Sequence, residues 1–323
     1  MFYTLRHITR FRYESPVSES LMEVRKHPRT ETWQRCLSFQ LRVLPKARTF
    51  WYRDYLGNTI YHFDVPGAHR QLLVAAESLV ETQPGPALPD SLPASAWDHL
   101  DRVTGEGDFS EMLMPSQFVR AGEELAIFSK ELKVERHSDP LSVLRQINTG
   151  VFQSFEYMPR ATKVDSPIEV ALKSRKGVCQ DMTHIMTALV RQLRIPCRYV
   201  SGYLYHSRQN ADRSADGASH AWVECFLPEF GWIGFDPTNN LLAGDRHIRT
   251  AIGRDYADVP PTRGVFKGTA KHELTVAVRV APSDAPPETE PEFLEANAWS
   301  AQETVATELR EAEQEQMMIQ QQQ

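Results

Sequence analysis

The sequence predicts an α+β fold, in which an N-terminal β-rich, sandwich-like domain precedes a core of helices packed on an antiparallel sheet. Three observations lead to this prediction. Apolar and polar residues alternate through much of residues 1–82, as expected of strands. From Trp97 the apolar residues recur every three or four positions, as expected of helices, and helix starts are predicted at Ser116 and at Asp139-Pro140. Alternation returns between residues 197 and 236, after the last of these helices.

The N-terminal domain is predicted to span residues 1–82. Alternation is clearest from Tyr3 to Tyr13 and from Leu37 to Val43, and the sequence at 54–58 is typical of a turn. Several short strands joined by turns indicate a small sandwich or barrel. We find no cluster of nucleophile, acid and base here, and this domain is not expected to carry the chemistry.

Composition places the other boundaries. Residues 83–96 contain four prolines and a glycine, so they are predicted to form a stiff linker, followed by a catalytic core at 97–280. Residues 281–323 form an acidic Gln/Glu-rich tail with ten carboxylates and one arginine. The tail is a candidate for binding a protein partner or for mediating oligomerisation. Its composition fits a docked helix, a coiled coil or a solvated tail.

Charge and hydropathy exclude several classes of protein. The net charge of −6 comes from the tail, which carries −9, so residues 1–280 carry +3 and show no concentrated basic patch for nucleic acid. No segment approaches the roughly 20 apolar residues that span a bilayer, and the N-terminus lacks the apolar run of a signal peptide. Four cysteines match neither a disulfide scaffold nor a zinc motif. We therefore predict a cytoplasmic protein with reduced thiols and without nucleic-acid or membrane partners.

A nucleophile is predicted at Cys179. It precedes an amphipathic helix over residues 182–193, which Pro196 stops, so the thiol is expected in the first helical turn. The positive end of the helix dipole and the nearby Arg175 and Lys176 favour the thiolate. The thiolate is the reactive form of cysteine.

A histidine and an acid lie on two consecutive predicted strands. His220 begins one strand, Asp236 ends the next, and each is eight residues from Pro228 in the intervening turn. If the strands pair about Pro228, the imidazole and the carboxylate become direct cross-strand neighbours. A loop longer or shorter by one residue would turn them to opposite faces. Together with Cys179, they would form a triad of nucleophile, base and orienting acid.

Five motifs carry a family resemblance, and they are Gly177–Asp181, Arg198–Tyr203, Ser219–Glu224, Trp232–Thr238 and Gly253–Pro261. Residues 97–280 resemble the bacterial branch of the transglutaminase-like superfamily, and the N-terminal segment resembles the domain that precedes the core in such proteins. The resemblance implies a papain-like transglutaminase core. It also implies that Cys179 is the nucleophile, His220 the general base and acid, and Asp236 the orienting acid.

The resemblance further implies acyl chemistry on amide bonds through a thioester, with a peptide or protein as substrate. Transfer to water would make a peptidase or amidase, which we favour. Transfer to an amine would make a protein-glutamine acyltransferase, a transglutaminase. A non-catalytic interaction module is the third alternative. No phosphate-binding glycine loop or calcium loop is present, so no cofactor or metal is expected.

Secondary candidates carry weaker signals. Trp222 and Tyr203 are candidates for lining an acyl-binding cleft, although aromatic residues on core strands more often serve packing. Cys36 is interpreted as a buried thiol, because free cysteine usually packs as a small hydrophobe. His184 lies off the helical face of Cys179 and is interpreted as structural.

Overall fold

The computed structural model describes residues 1–107, 109–207 and 210–283, and it divides the chain into two units. The N-terminal unit comprises Met1–Thr82, Asp216–Ser219 and the described residues from Pro261 onward. The second unit comprises Gln83–Ala215 and His220–Pro260. Most of the acidic tail predicted at 281–323 lies outside the described residues.

The described residues contain strands and six α-helices, which confirms the predicted α+β class. The strands are β1 (Phe2–Val24), β2 (Gln34–Leu44), β3 (Thr49–Arg53), β4 (Thr59–Thr82), β5 (Glu156–Tyr157), β6 (Lys176–Gly177), β7 (Cys197–Leu204), β8 (His220–Leu227), β9 (Gly231–Asp236), β10 (Leu241–Leu242), β11 (His247–Gly253), β12 (Thr262–Lys267) and β13 (His272–Ser283). The helices are α1 (Ala96–Glu106), α2 (Ser110–Leu113), α3 (Glu123–Glu131), α4 (Pro140–Ser154), α5 (Ile168–Ser174) and α6 (Cys179–Gln192), with a 3₁₀ helix at Tyr256–Asp258.

The N-terminal unit is built on two very long strands, not on the several short strands that we predicted. β1 and β4 pair along most of their lengths, and the ladder is irregular between Arg12 and Glu19. Such bulges bend a strand without ending it. On the outer edges, β13 and β12 pair with successive halves of β1, while β2 and β3 pair with successive halves of β4. Side chains from both halves share one apolar core, so one bent sheet produces the sandwich-like packing.

The C-terminal boundary of the core differs from the prediction. We placed residues 261–280 in the catalytic core, but their strands β12 and β13 pair with β1 and belong to the N-terminal unit. Both strands belong to that unit because their backbones form hydrogen bonds with the outer edge of β1. The second unit therefore ends at Pro260.

The proline-rich segment at 83–96 has little regular structure, but it is not a free spacer. It belongs to the second unit, where Leu88 and Leu92 pack against the core. The Arg145 guanidinium also donates to the main-chain carbonyls of Pro89 and Asp90. These contacts fix the segment on the surface of the unit that follows it.

The second unit has a five-stranded antiparallel sheet in the order β10-β9-β8-β7-β11, with α6 packed on it. Helix α4 begins as predicted, because the Asp139 carboxylate caps the N–H groups of Leu141 and Ser142. The helix expected after Ser116 begins only at Glu123. Among the described residues, no helix has the length and apolarity needed to cross a bilayer.

Candidate active site

The three residues predicted to form a triad all lie at the ends of secondary-structure elements. Cys179 is the first residue of α6, His220 the first of β8 and Asp236 the last of β9. Because β8 and β9 are antiparallel, the start of one lies beside the end of the other. Helix α6 packs against β8, so the helix that begins at Cys179 lies against the sheet that carries His220 and Asp236.

The hairpin register differs from the predicted one by two residues. Val223 pairs with Phe235, whereas pairing about Pro228 would have placed Asp236 opposite His220. The reason is a three-residue loop closed by Leu227 and Gly231, with Gly231 in the left-handed region at φ 73°. An offset of two preserves the face, and His220 Nε2 lies 2.8 Å from Asp236 Oδ2.

Asp236 is fully buried and accepts five hydrogen bonds. Oδ2 accepts from His220 Nε2 at 2.8 Å, from Asn239 Nδ2 at 2.8 Å and from His247 Nε2 at 3.3 Å. Oδ1 accepts from the backbone N–H groups of Thr238 and Asn239 at 3.0 and 3.2 Å. Burial alone would raise the pKa of Asp236, but its interactions with the two histidines hold it far below the usual range. The carboxylate is therefore charged and fixed in orientation.

The charged form of His220 is favoured by its surroundings. Burial lowers the pKa of His220, but the charge and hydrogen bond of Asp236 and the nearby Cys179 side chain raise it to about 10. Nε2 is committed to Asp236. Nδ1 is buried and makes no hydrogen bond of normal geometry with the described residues, so it is the ring nitrogen left for the thiol.

Cys179 is half-buried beside three tyrosines. It packs with Tyr256 against a small cluster that contains Tyr199. Burial, followed by the negative charge that Cys179 can carry, raises the pKa of Tyr157 to about 12. The phenol oxygen of Tyr157 also accepts a hydrogen bond from the Ala215 N–H, at 3.2 Å. The sulfur therefore lies among groups that stay neutral and protonated at neutral pH.

The basic residues next to Cys179 do not supply the uncompensated charge that we expected. Arg175 Nη2 lies 2.7 Å from Glu131 Oε2, and Lys176 Nζ lies 3.2 Å from Glu156 Oε2. Each ion pair neutralises a charge that would otherwise act on the thiol. The helix terminus and the imidazole remain as the positive influences on Cys179.

The turn before Cys179 is held by Asp181. Its Oδ2 accepts from the Val178 N–H at 2.9 Å and from Thr162 Oγ1 at 2.6 Å. A Cβ at Gly177 would lie 2.8 Å from the same oxygen, so glycine is required by this close approach. The contacts fix the backbone that presents the thiol.

Trp222 and Tyr203 do not line an open cleft, contrary to the prediction. Their exposed fractions are 0% and 2%, because both side chains are part of the packed interior. The Trp222 ring lies 6.1 Å from the His220 ring and 5.1 Å from the His247 ring, between centroids. It therefore shields the carboxylate–imidazole contacts from water.

Asn239 and His247 contact the Asp236 carboxylate and were missed from the sequence. Asn239 also accepts at Oδ1 from the backbone N–H groups of Arg213 and Ser214, so it ties that loop to Asp236. The pair of asparagines after the Asp-Pro-Thr motif was a local signal that could have drawn attention to Asn239. His247 belongs to a strand that pairs with β7, so its distance from Asp236 could not be inferred from spacing.

His220, Asp236 and His247 also form the one group of potential metal ligands found within the described residues, with ligand atoms within 4.8 Å of one another. The nitrogen that each histidine presents to this group is engaged with Oδ2 of Asp236. A metal ion would have to replace both contacts. The donor set fits a hydrogen-bonded carboxylate better than a metal centre.

Comparisons with known proteins agree with this architecture. Residues 3–81 match the bacterial transglutaminase-like N-terminal region, and residues 129–237 match the transglutaminase-like superfamily. An uncharacterised protein of Mycobacterium leprae is 32% identical over 275 residues, which cover 85% of this chain and 96% of that protein. An uncharacterised protein of Mycobacterium tuberculosis is 32% identical over 297 residues, which cover 87% of this chain and 92% of that protein.

A protein-glutamine gamma-glutamyltransferase of Pseudomonas aeruginosa is 29% identical over 151 residues, which cover 42% of this chain and 22% of that protein. The crystal structure of a candidate cysteine protease from Cytophaga hutchinsonii superposes with a TM-score of 0.68 at 21% identity, covering 90% of this chain and 94% of that one. At 21% identity, the likeness to the Cytophaga hutchinsonii structure shows a shared fold and nothing more. Sequence matches across both units show that the chain belongs to the bacterial transglutaminase-like family.

Proposed function

We propose that the protein is a cysteine-dependent peptidase or amidase, in which Cys179 is the nucleophile, His220 the general base and acid, and Asp236 the orienting acid. The observation that carries the proposal is the buried 2.8 Å contact between His220 Nε2 and Asp236 Oδ2. This contact leaves Nδ1 for a half-buried cysteine at the first turn of α6. A charged imidazole beside a cysteine stabilises the thiolate.

The proposed reaction has two halves. The Cys179 thiolate attacks the amide carbonyl carbon, and the C–S bond forms as the carbonyl oxygen becomes an oxyanion. The oxyanion is stabilised by the backbone N–H of Cys179, which the helix geometry leaves without an intrahelical acceptor. As the C–N bond breaks, the His220 imidazolium gives its proton to the leaving amine. Water then attacks the thioester while His220 takes its proton, and the C–S bond breaks to release the acid.

An amine acceptor is the second candidate. The partial match to the Pseudomonas aeruginosa protein-glutamine gamma-glutamyltransferase favours it, because that match concerns this chemistry by name. The first half-reaction is the same in both cases. The two functions differ in whether water or a primary amine attacks the thioester.

The test is activity profiling of the full-length protein against a peptide library and a glutamine-containing protein, with and without a labelled primary amine. We expect peptide hydrolysis in the wild type and none in Cys179→Ala. Incorporation of the amine in place of hydrolysis would assign the acyltransferase instead. No turnover by the wild type, with the same lack of turnover in the variant, would favour the non-catalytic module.

Cys36 provides the matched control. It is half-buried, its Sγ lies 3.3 Å from the carbonyl oxygen of Ser38, and burial raises its pKa to about 12. Iodoacetamide should therefore alkylate Cys179 first, as read by peptide mass mapping, and Cys36→Ala should keep full activity. Preferential labelling of Cys36 would contradict the proposal.

A further inference from the structure

We propose that His247 is a positioning residue, whose Nε2–H holds the Asp236 carboxylate towards His220 and limits how strongly that carboxylate binds the imidazolium. The role rests on the proposed function, because it acts on the group to which we assign acid–base chemistry. His247 itself touches neither the thiol nor the position of a substrate carbonyl in that proposal.

Hydrogen bonding identifies the tautomer of His247. The backbone N–H of Gly244 donates to Nδ1 at 3.2 Å, so Nδ1 carries a lone pair and the ring proton is on Nε2. Nε2 points at Asp236 Oδ2, 3.3 Å away. The backbone N–H of His247 donates to the Gly244 carbonyl at 3.0 Å and closes the same turn. The hydrogen bond to Nδ1 therefore holds the imidazole ring in the orientation in which Nε2 donates to Asp236.

Burial and the positive charges nearby favour the neutral form of His247. Burial is the main cause that lowers its pKa, the nearby charges of His220 and Arg249 lower it further, and Asp236 opposes them. The remaining titratable group that acts on the His220 ring is Cys179. A neutral His247 donates a hydrogen bond to Asp236 without adding a second positive charge.

The influence of His247 on His220 must pass through Asp236. The two imidazole rings are 6.1 Å apart between centroids, and both contact the same carboxylate oxygen. A carboxylate that accepts fewer hydrogen bonds attracts the imidazolium more strongly. Removal of the His247 donor should therefore make His220 harder to deprotonate, whereas a residue that serves packing alone would leave that titration unchanged.

The experiment compares His247→Leu, which removes the donor, with His247→Gln, whose amide can donate from a similar position. The titration of His220 is followed by ¹⁵N NMR in a Cys179→Ala background, where the thiol no longer couples to the ring. One hydrogen bond of ordinary strength predicts an upward shift of about 0.5 to 1 pH unit in the Leu variant, and Gln should restore the original midpoint. Equal midpoints in all three proteins would overturn the proposal.

The wild-type protein gives a second readout that needs no His247 variant to fold. Its ¹⁵N spectrum should show His247 neutral, with hydrogen on Nε2 and none on Nδ1, from pH 7 to 9. A proton on Nδ1 would overturn the assignment, and so would zinc chloride if it bound stoichiometrically with loss of the Nε2 proton.

Activity provides the third arm. If the protein hydrolyses an amide as proposed, the alkaline limb of the pH profile of kcat/KM should move to higher pH in His247→Leu. It should return to the wild-type position in His247→Gln. The control variant His137→Gln, at an exposed histidine, should leave the profile unchanged. An unmoved limb in the Leu variant would overturn the role. If the wild type hydrolyses nothing, the proposed function fails, and the NMR arms still decide the assignment of His247.

Discussion

Two basic side chains, one in each unit, are buried, but the pKa of one is lowered and the pKa of the other is raised. In the N-terminal unit, Lys26 Nζ lies 2.6 Å from the hydroxyl oxygen of Thr9, and burial lowers its pKa to about 7. In the second unit, burial also opposes the charge on His220, yet Asp236 raises the pKa to about 10. Burial lowers the pKa of both side chains, but only His220 has a carboxylate partner whose charge outweighs that effect.

The comparison shows what a hydroxyl and a carboxylate can each do for a buried cation. The hydroxyl of Thr9 accepts a hydrogen bond but carries no charge to offset desolvation. The carboxylate of Asp236 supplies both charge and hydrogen bond, and it is itself stabilised by neighbouring N–H groups. The surroundings of His220 therefore favour a protonated ring, at the site where the proposed reaction would transfer a proton.

The strongest way to break the contrast is Asp236→Asn, which would give His220 a neutral partner like that of Lys26. Burial would then dominate, the pKa of His220 would fall, and the thiolate would lose its counter-charge. We expect kcat/KM for amide hydrolysis to fall on the order of 10³- to 10⁴-fold, by analogy with the loss of an orienting acid in other triads.

The alkylation rate of Cys179 at pH 7 should fall with it. Asp165→Asn, at an exposed acid in the same unit, is the matched control and should leave both rates unchanged. Wild-type rates in Asp236→Asn would show that the carboxylate does not set the state of the ring.

Lys26→Met removes the buried amine from the other side of the comparison. A lysine pKa lowered from 10.5 to about 7 means that the unfolded chain binds more protons between those values, so stability rises with pH across that window. Relative to wild type, the variant should gain more stability at pH 7 than at pH 9.5, by about 3 kcal/mol.

Urea unfolding at the two pH values measures this difference. Thr9→Val, which removes the hydroxyl but keeps the amine, should retain the pH dependence of the wild type. A gain from Lys26→Met that is equal at both pH values would mean that Lys26 is not desolvated as described.

His220→Gln is the mirror experiment, with the opposite sign. A histidine pKa raised from 6.5 to about 10 stabilises the fold below 6.5, and this contribution is lost as pH rises towards 10. The variant should therefore lose more stability at pH 7 than at pH 9.5, by about 2 to 3 kcal/mol. The same urea series tests it, and a larger loss at pH 9.5 would refute the assignment of the charged ring.

The smallest effect is expected at Asp181, a buried acid whose hydrogen-bond partners are neutral. Burial raises the pKa of Asp181, while hydrogen bonds from Thr162 and Val178 oppose the rise. Thr162→Val should cost about 1 to 2 kcal/mol of unfolding free energy, as expected for a hydrogen bond to a charged group. Thr162→Ser keeps the hydroxyl and should stay near wild type in thermal unfolding; equal losses in both variants would assign the effect to packing.

Local signals in the sequence predicted local structure well. The start of α4 at Asp139-Pro140 and the start of α6 at Cys179 depend on caps and periodicity within one segment. The side-chain alternation of strands also placed His220 and Asp236 on one face. That prediction survived a register error of two residues, because an even offset changes the neighbour but not the face.

Long-range pairing could not be predicted in the same way. Nothing in the alternation of β13 indicates that its partner is β1, at the opposite end of the chain. The burial of Trp222 and the contact between His247 and Asp236 also depend on strand order, which spacing does not reveal. These features follow from how the strands assemble, whereas caps and periods follow from neighbours in sequence.

The pairing of β12 and β13 with β1 has a consequence for biosynthesis. At about 5 to 20 residues per second, the ribosome would complete β1 roughly ten to fifty seconds before its last partner strands are made. In that interval the nascent β1 has an open edge, which is the kind of surface that chaperones shield and that aggregates form on. Expression of a shortened polypeptide ending near Pro260 should therefore yield inclusion bodies, and supplying residues 261–283 as a separate peptide is a direct route to rescue.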